Sequence, residues 1–329
     1  MKEVQTTKRE FGIFAAAAFG LPLVMMLPLW MGYRAGLDTS NFATAQMFYP
    51  AAGAMLALWM GGRPDLPKRF FGLHLASTLL MAAAALLSLA LPDPAWGLYS
   101  SLGLILLSVL GWVLLLTEGK AKRQSYGLRW QGSLGKALAL CGLFLALKTG
   151  MVFLSMALAG AESFAQYLDY WASPVPWINL VILVPNFFLA FLPFFGEEYG
   201  WRYYMTPALQ KRFGLRRGLL LAGVAWGLWH LPLNLFFYSP ETSLQSIASQ
   251  LVVCVTMGVF FSFCYEVCGR NIWVPVLLHY LNNNMILVWA GTADISNQVL
   301  TWGDVAQSAV MYLVCFLPFL ASRRFSEKA

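Results

Sequence analysis

The sequence predicts an all-α integral membrane protein with about ten membrane-spanning helices. Of its 329 residues, 59% are hydrophobic and only 11% are charged, whereas a soluble domain carries about 25% charged residues. So few charges cannot cover a water-facing surface of this size. Lipid must therefore form part of the solvent around the chain.

Ten apolar runs are long enough to cross a bilayer, which needs about 20 residues per helix. The first run follows a short basic segment, but it is longer than the apolar core of a signal peptide and no small-residue cleavage site follows it. We therefore expect it to be a retained span. The runs lie at roughly 11–31, 43–60, 70–91, 97–117, 137–159, 176–196, 218–237, 246–265, 272–291 and 305–321.

The charges between these runs alternate along the chain. If the N-terminus is cytoplasmic, the inside segments are rich in Lys and Arg, whereas the outside segments hold only one cation, Arg34. Because an excess of Lys and Arg marks cytoplasmic loops, both termini are predicted to be cytoplasmic. The net charge of +7 then reflects topology and contact with anionic lipid headgroups, not nucleic-acid binding. The outside acids are Asp38, Asp93, Glu162, Asp169, Glu241, Asp294 and Asp304.

The longest basic connection, around 118–136, is the one candidate for an internal boundary. We expect an N-terminal membrane segment of four spans at 1–124, with no assigned role, and a core of six spans at 125–329. The five cysteines form no CxxC pair. We expect them to pack as small hydrophobic residues and to form neither disulfides nor a structural zinc site.

Three segments place ionisable or amide side chains inside the predicted spans, where such groups are costly and are functional candidates. In each segment two of the side chains are four residues apart and so share one helix face. These pairs are Glu198 with Arg202, preceded by Glu197, then Trp226 with His230, and His279 with Asn283.

The two adjacent acids differ in their surroundings. Glu198 and Arg202 can form an ion pair, whereas Glu197 points about 100° away and is not neutralised by it. Counted from the basic flank of each helix at ~1.5 Å per residue, Glu197 and His230 lie ~20 Å deep and His279 ~13 Å deep. This similar level predicts one shared buried site, which we expect to open toward the basic, cytoplasmic side.

Other polar side chains inside the spans are expected to be structural. We expect His74 to be a packing residue, and Lys148 and Glu266 to lie near span ends or to extend their charged groups to the interface. Asn282 and Asn284 flank the third segment and are expected to point away from the site.

The three segments together resemble the CAAX-protease and bacteriocin-processing (CPBP) family of intramembrane endopeptidases, similar to type II CAAX prenyl endopeptidases. The family pattern is EExxxR, [FW]xxxH and HxxxN on three successive motif-bearing helices, and the order and spacing agree here. The resemblance covers roughly Ser125 to Trp289 and does not extend to the first four spans. It implies a glutamate-activated water and an oxyanion hole formed by His and Asn. The substrate stays open among a prenylated C-terminal peptide, a bacteriocin leader and a membrane-protein segment.

The chemistry of these side chains supports the same mechanism without the resemblance. Glu197 is the candidate general base, His230 can orient it or the water, and His279 with Asn283 can donate to a tetrahedral oxyanion. Glu198 and Arg202 would hold their helix in register.

Three alternatives stay open at this level. One Glu and two His also make a zinc set, although we prefer a mechanism without a cofactor because HxxxN puts a weak amide beside the ligand, where zinc histidines usually have a carboxylate partner. A non-catalytic bacteriocin-immunity or scaffold protein needs none of this chemistry. A transporter would carry matching polar segments in its first half, and we find none.

Overall fold

The computed structural model describes residues 6–326, and within this range the chain forms helices and connections without a β-strand. The first six helices cover the N-terminal third of the chain. They are α1 (Lys8–Arg34), α2 (Ser40–Gln46), α3 (Tyr49–Met60), α4 (Lys68–Ala90), α5 (Trp96–Thr117) and α6 (Lys120–Ser125).

Nine further helices form the rest of the bundle. Within α10, a π-helical stretch at Tyr199–Met205 joins two α-helical parts. The helices are α7 (Leu134–Leu158), α8 (Ala161–Ala172), α9 (Val175–Leu189), α10 (192–213), α11 (Leu215–Tyr238), α12 (Pro240–Val267), α13 (Trp273–Asn284), α14 (Ile286–Ala290) and α15 (Trp302–Ala321).

Seven of these helices in the described range are long and apolar enough to cross a membrane. They are α1, α4, α5, α7, α11, α12 and α15. Helices α8 and α9 would add an eighth span as a pair that bends by 60°. The predicted fold class, a polytopic helical membrane protein, is confirmed, with seven or eight long spans in place of ten.

The difference in number comes from three predicted spans that are interrupted. The run 43–60 is split into α2 and α3, the run 176–196 into α9 and the start of α10, and the run 272–291 into α13 and α14. In the first two, the new helix carries a proline, Pro50 or Pro193, as its second residue. A proline lacks the N–H for an intrahelical bond and fits the first turn of a helix, so it restarts the helix there.

The N-terminal helices pack directly on α10. Gly196 and Gly200 face α3 and its N-terminal flank, and a Cβ at either position would meet the backbone of Met47 or Pro50. Two small residues four apart allow helix backbones to approach closely in a membrane. The glycines therefore fix the segment that carries Glu197 against the first part of the chain.

The two ends of the bundle differ in charge. At one end the Arg63 guanidinium pairs with Glu10 at 2.7 Å, Arg69 lies 3.8 Å from Glu118, and Arg216 reaches Ser326. Arg63 lies in the connection between α3 and α4. Hydrogen bonding to the Glu10 carboxylate stabilises the Arg63 cation and raises its pKa. We call this the basic end. The other end, which holds Asp38, Glu241, Asp294 and Asp304, is called the acidic end below.

Candidate active site

A cavity of about 340 Å³ brings the predicted catalytic side chains together. Glu197, His230, His279 and Asn283 all line it, although they come from helices α10, α11 and α13. Glu197 and His279 are buried, with 2% and 3% of their surface exposed. Two of the three interrupted runs contribute to this cavity, which agrees with the rule that broken helices occur at membrane depth only where they line a cavity or are covered by protein.

The Glu197 carboxylate is held through one of its two oxygens. Its Oε2 accepts hydrogen bonds from the indole N–H groups of Trp226 at 2.7 Å and Trp201 at 3.2 Å. Its Oε1 accepts no hydrogen bond from any described residue and lies 3.9 Å from Nε2 of His279. One oxygen is thus anchored, and the other remains available for a ligand in the cavity.

The Glu198 carboxylate is fully buried and engages two partners. Its Oε1 lies 2.6 Å from Nδ1 of His279, and its Oε2 lies 3.1 Å from Nε of Arg202. The predicted Glu198–Arg202 ion pair is therefore present. His279 sits between the two glutamates, and its Nδ1 hydrogen is committed to Glu198.

The Arg202 side chain links this ion pair to the tryptophan that holds Glu197. Its guanidinium carbon lies 4.3 Å from the centre of the Trp226 ring and 5.3 Å from that of Phe261. A planar guanidinium stacks favourably on aromatic faces, most strongly on tryptophan. Arg202 thereby packs against the indole that donates to the Glu197 carboxylate.

His230 is the C-cap of the first α-helical part of α11, which ends at Trp229, and its ring is oriented by its own helix. Nδ1 lies 2.9 Å from the Trp226 carbonyl oxygen, which only accepts hydrogen bonds. In the neutral ring Nδ1 therefore carries the hydrogen and Nε2 is an acceptor. No hydrogen bond joins His230 to Glu197, so the indoles, not His230, fix the orientation of this carboxylate.

Asn283 is the most exposed of the predicted residues. The side-chain amide of Asn282 donates to Asn283 Oδ1 at 3.0 Å, which leaves the Asn283 amide hydrogens as the donors. Asn282 also lines the cavity, so the prediction that it points away is wrong. Asn284 does turn away and donates to the Tyr280 carbonyl at 2.9 Å.

The remaining buried histidine is structural, as predicted. His74 is fully buried, its Nε2 lies 3.2 Å from the Phe48 carbonyl oxygen, and its ring stacks on the Phe48 side chain. It takes no part in the cavity.

Several residues of the site were not anticipated from the sequence. Trp201 stands four residues after Glu197, so the helical spacing could have suggested its contact with the carboxylate. The Sγ of Cys254 lies 3.8 Å from His230 Nδ1. Ala43 and Met47 also line the cavity, and no local pattern signals this contact from the N-terminal part of the chain.

The cavity opens at the acidic end of the bundle. Beyond the buried centre, its walls come from the end of α11, the start of α12 and the connection before α15, through Ser239, Ser246 and Gln298. The sequence led us to expect an opening at the basic end. Glu197 and His230 lie ~20 Å from the basic flanks of their helices. Because the hydrocarbon core is about 30 Å thick, this depth already lies nearer the opposite end.

The site has hydrogen bonds of the kind that zinc histidines make, but not the spacing of a zinc site. Within residues 6–326 no three His, Cys, Asp or Glu side chains are placed to hold a metal ion. The Nδ1 atoms of His230 and His279 are bonded to a carbonyl and a carboxylate, as in zinc sites, and Oε1 of Glu197 accepts no hydrogen bond from a described residue. A mechanism without a metal stays our prediction.

Spanning helices around a buried centre of two carboxylates and two histidines define a multi-pass membrane protein with an enclosed polar site. Residues 176–285, which hold all three motifs, match the family model described as Type II CAAX prenyl endopeptidase Rce1-like. The family resemblance predicted from the motifs is confirmed over this segment.

One curated relative extends the comparison. A stretch of 137 residues is 31% identical to CAAX prenyl protease 2 of Methanococcus maripaludis and covers 39% of this chain. The chain spans half the length of that relative. Both descriptions name proteases, so the family is one of peptide hydrolases.

Proposed function

We propose that this protein is an intramembrane endopeptidase in which Glu197 activates a water molecule for attack on a peptide bond. The observation that carries the proposal is the asymmetric binding of the Glu197 carboxylate, with Oε2 held by two indole N–H groups and Oε1 directed to the cavity. A general base must be held firmly while one oxygen remains within reach of the water.

The indole N–H groups also set the angle of attack. Because Trp201 and Trp226 both donate to Oε2, the carboxylate cannot rotate without losing two charge-assisted hydrogen bonds. The water would then be bound between Oε1 and the neighbouring His279 Nε2, which lies 3.9 Å away. Such preorganisation supplies much of the catalytic effect of a buried polar site.

We assign the oxyanion to the donors on α13. The Asn283 amide lines the cavity with its hydrogens uncommitted, and His279 can donate from Nε2 when it carries both ring protons. The Glu197 and Glu198 carboxylates beside His279 would balance that charge. His230 faces the same cavity through Nε2, in a position suited to hold the water or the leaving amine.

Glu198 and Arg202 act as positioning residues in this proposal. Glu198 fixes the His279 ring through Nδ1, and Arg202 supports the Trp226 indole. Neither needs to touch the substrate. Glu197 and Glu198 have different partners, and the two adjacent glutamates therefore serve different purposes.

The substrate we propose is a peptide or a membrane-associated protein. The curated relative is described as a prenyl protease, and the cavity combines polar residues with apolar ones such as Leu233, Met257 and Ile286. A lipidated peptide is therefore the first substrate to test. We propose the cytoplasmic membrane as its location.

The test is hydrolysis of a quenched fluorescent peptide library by the purified protein in detergent, with and without a farnesyl group. Glu197→Gln keeps the shape of the side chain but cannot accept a proton, so turnover should fall to background while the thermal midpoint is retained. Glu266→Gln, in a partly exposed ion pair with Arg270, is the matched control and should stay active. Full turnover in Glu197→Gln would end the proposal.

A further inference from the structure

The mouth of the catalytic cavity is built by two connections that hold each other in place. The backbone N–H of Asn297 donates to the Phe237 carbonyl at 2.9 Å, and that of Gln298 donates to the Tyr238 carbonyl at 2.7 Å. The N–H of Leu300 donates to Thr242 Oγ1 at 2.9 Å. These bonds join the end of α11 and the start of α12 to the segment before α15, and all of these segments lie at the acidic end.

The charge at this end contrasts with that at the opposite end. In the described connections and helix termini at the acidic end, Arg34 is the single Lys or Arg, beside a series of acids. At the basic end, clusters of cations lie in the connections around 63–69, 120–129, 211–217 and 323–324. A bias of this size is what orients membrane proteins, because cytoplasmic loops retain Lys and Arg.

We propose that the active site is entered from the non-cytoplasmic face of the membrane. The inference rests on the proposed hydrolytic function and assigns its substrate class, namely peptide segments presented outside the cytoplasm. The basic end lies against the cytoplasmic leaflet, where anionic headgroups attract it. The cavity mouth then faces the opposite compartment, and the protein acts on exported peptides or on the outer segments of membrane proteins.

The electrostatic field at the mouth favours a cationic substrate segment. Asp294 precedes a residue that lines the cavity, Ile295, and Glu241 lies in the first turn of α12. Hydrogen bonds from Ser296 lower the pKa of the exposed Asp294 carboxyl, which keeps it charged above mildly acidic pH. A cleft rimmed by one sign of charge raises the local concentration of ligands of the opposite sign.

The orientation is tested by cysteine labelling, which does not depend on catalysis. Gln298→Cys at the mouth and Lys120→Cys at the basic end are both exposed positions, and the unsubstituted chain, whose cysteines are buried or half-buried, sets the background. With a membrane-impermeant maleimide, Gln298→Cys should label in intact cells, and Lys120→Cys only after permeabilisation. Labelling in detergent verifies that both thiols react. If Gln298→Cys requires permeabilisation, the proposed orientation is wrong.

A second measurement separates this inference from the proposed function. Right-side-out and inside-out membrane vesicles receive an impermeant peptide that the detergent-solubilised protein cleaves. Cleavage by right-side-out vesicles supports entry from the non-cytoplasmic face, and cleavage by inside-out vesicles alone overturns it. If no peptide is cleaved even in detergent, the hydrolytic function fails, while the labelling result still decides the orientation.

Discussion

Replacing Glu198 with alanine should destabilise the protein far more than replacing its neighbour Glu197. Glu198 is fully buried and its carboxylate contacts Arg202 at 3.1 Å and His279 at 2.6 Å. The Arg202 side chain is itself 3% exposed. Glu198→Ala would leave this cation without its carboxylate, in a site where water cannot replace the lost partner.

The size of the effect follows from the burial of the pair. Removing one partner of a buried ion pair costs about 3–5 kcal/mol, and a change of this size should lower the thermal midpoint by roughly 10 °C. Glu197→Ala loses two indole hydrogen bonds but also removes a buried charge whose nearest basic atom, His279 Nε2, lies 3.9 Å away. Its cost should therefore be smaller, about 1–3 kcal/mol.

The assay is thermal unfolding of the variants in detergent, followed by intrinsic fluorescence. Glu266→Ala is the matched control, because Glu266 forms an ion pair with Arg270 at the same spacing but with 25% of its side chain exposed. Its loss should be about 0.3–0.5 kcal/mol. A double change of Glu198→Leu with Arg202→Met should recover much of the loss. A larger loss in Glu197→Ala than in Glu198→Ala would show that the two acids have been assigned in reverse.

Three further predictions concern activity. Trp226→Phe removes one hydrogen bond to the charged Glu197 carboxylate, worth about 1.5–3 kcal/mol, so kcat should fall about 10- to 100-fold. The control is Trp112→Phe, which loses an indole hydrogen bond to a carbonyl outside the cavity and should keep its rate. Asn283→Ala should lower kcat by about 10²–10³, the cost of one oxyanion donor, with little change in thermal midpoint because the residue is exposed; an unchanged kcat would remove Asn283 from the mechanism. Prolonged chelation should leave turnover intact, and stoichiometric zinc lost together with activity would favour a metallopeptidase instead.

Much of the site could be predicted because a membrane makes each buried polar group conspicuous. Three short motifs placed Glu197, His230 and His279 on different helices at similar depth, and the structure brings them to one cavity. The pairing of Glu198 with Arg202 followed from helical spacing alone. The apolar pattern of the sequence could not predict that Met47 lines the cavity, because this contact depends on tertiary packing.

The errors in the fold have a common physical origin. Apolar length alone predicts one straight helix for each run, but Pro50 and Pro193 restart the helix inside two such runs. The segment between the apolar runs 137–159 and 176–196 carries no predicted helix, yet residues Ala161–Ala172 form one there. Its aromatic side chains, such as Tyr170, which donates to the Val288 carbonyl at 2.8 Å, give that helix a face to pack on its neighbours.

The N-terminal helices are structurally part of the site, although the family match begins after them. The sequence GEEYG places the two adjacent glutamates between two glycines, and these glycines allow α10 to lie against the backbone of Met47 and Pro50. Gln46 donates to the Trp229 carbonyl at 2.8 Å, and the Trp229 indole donates to the Ala18 carbonyl at 2.8 Å. These contacts fix the helix end that presents His230. The N-terminal helices therefore supply one wall of the cavity and contact two of the three helices that carry the proposed catalytic residues. A change in their packing should alter the geometry of the Glu197 carboxylate without a change in the carboxylate itself.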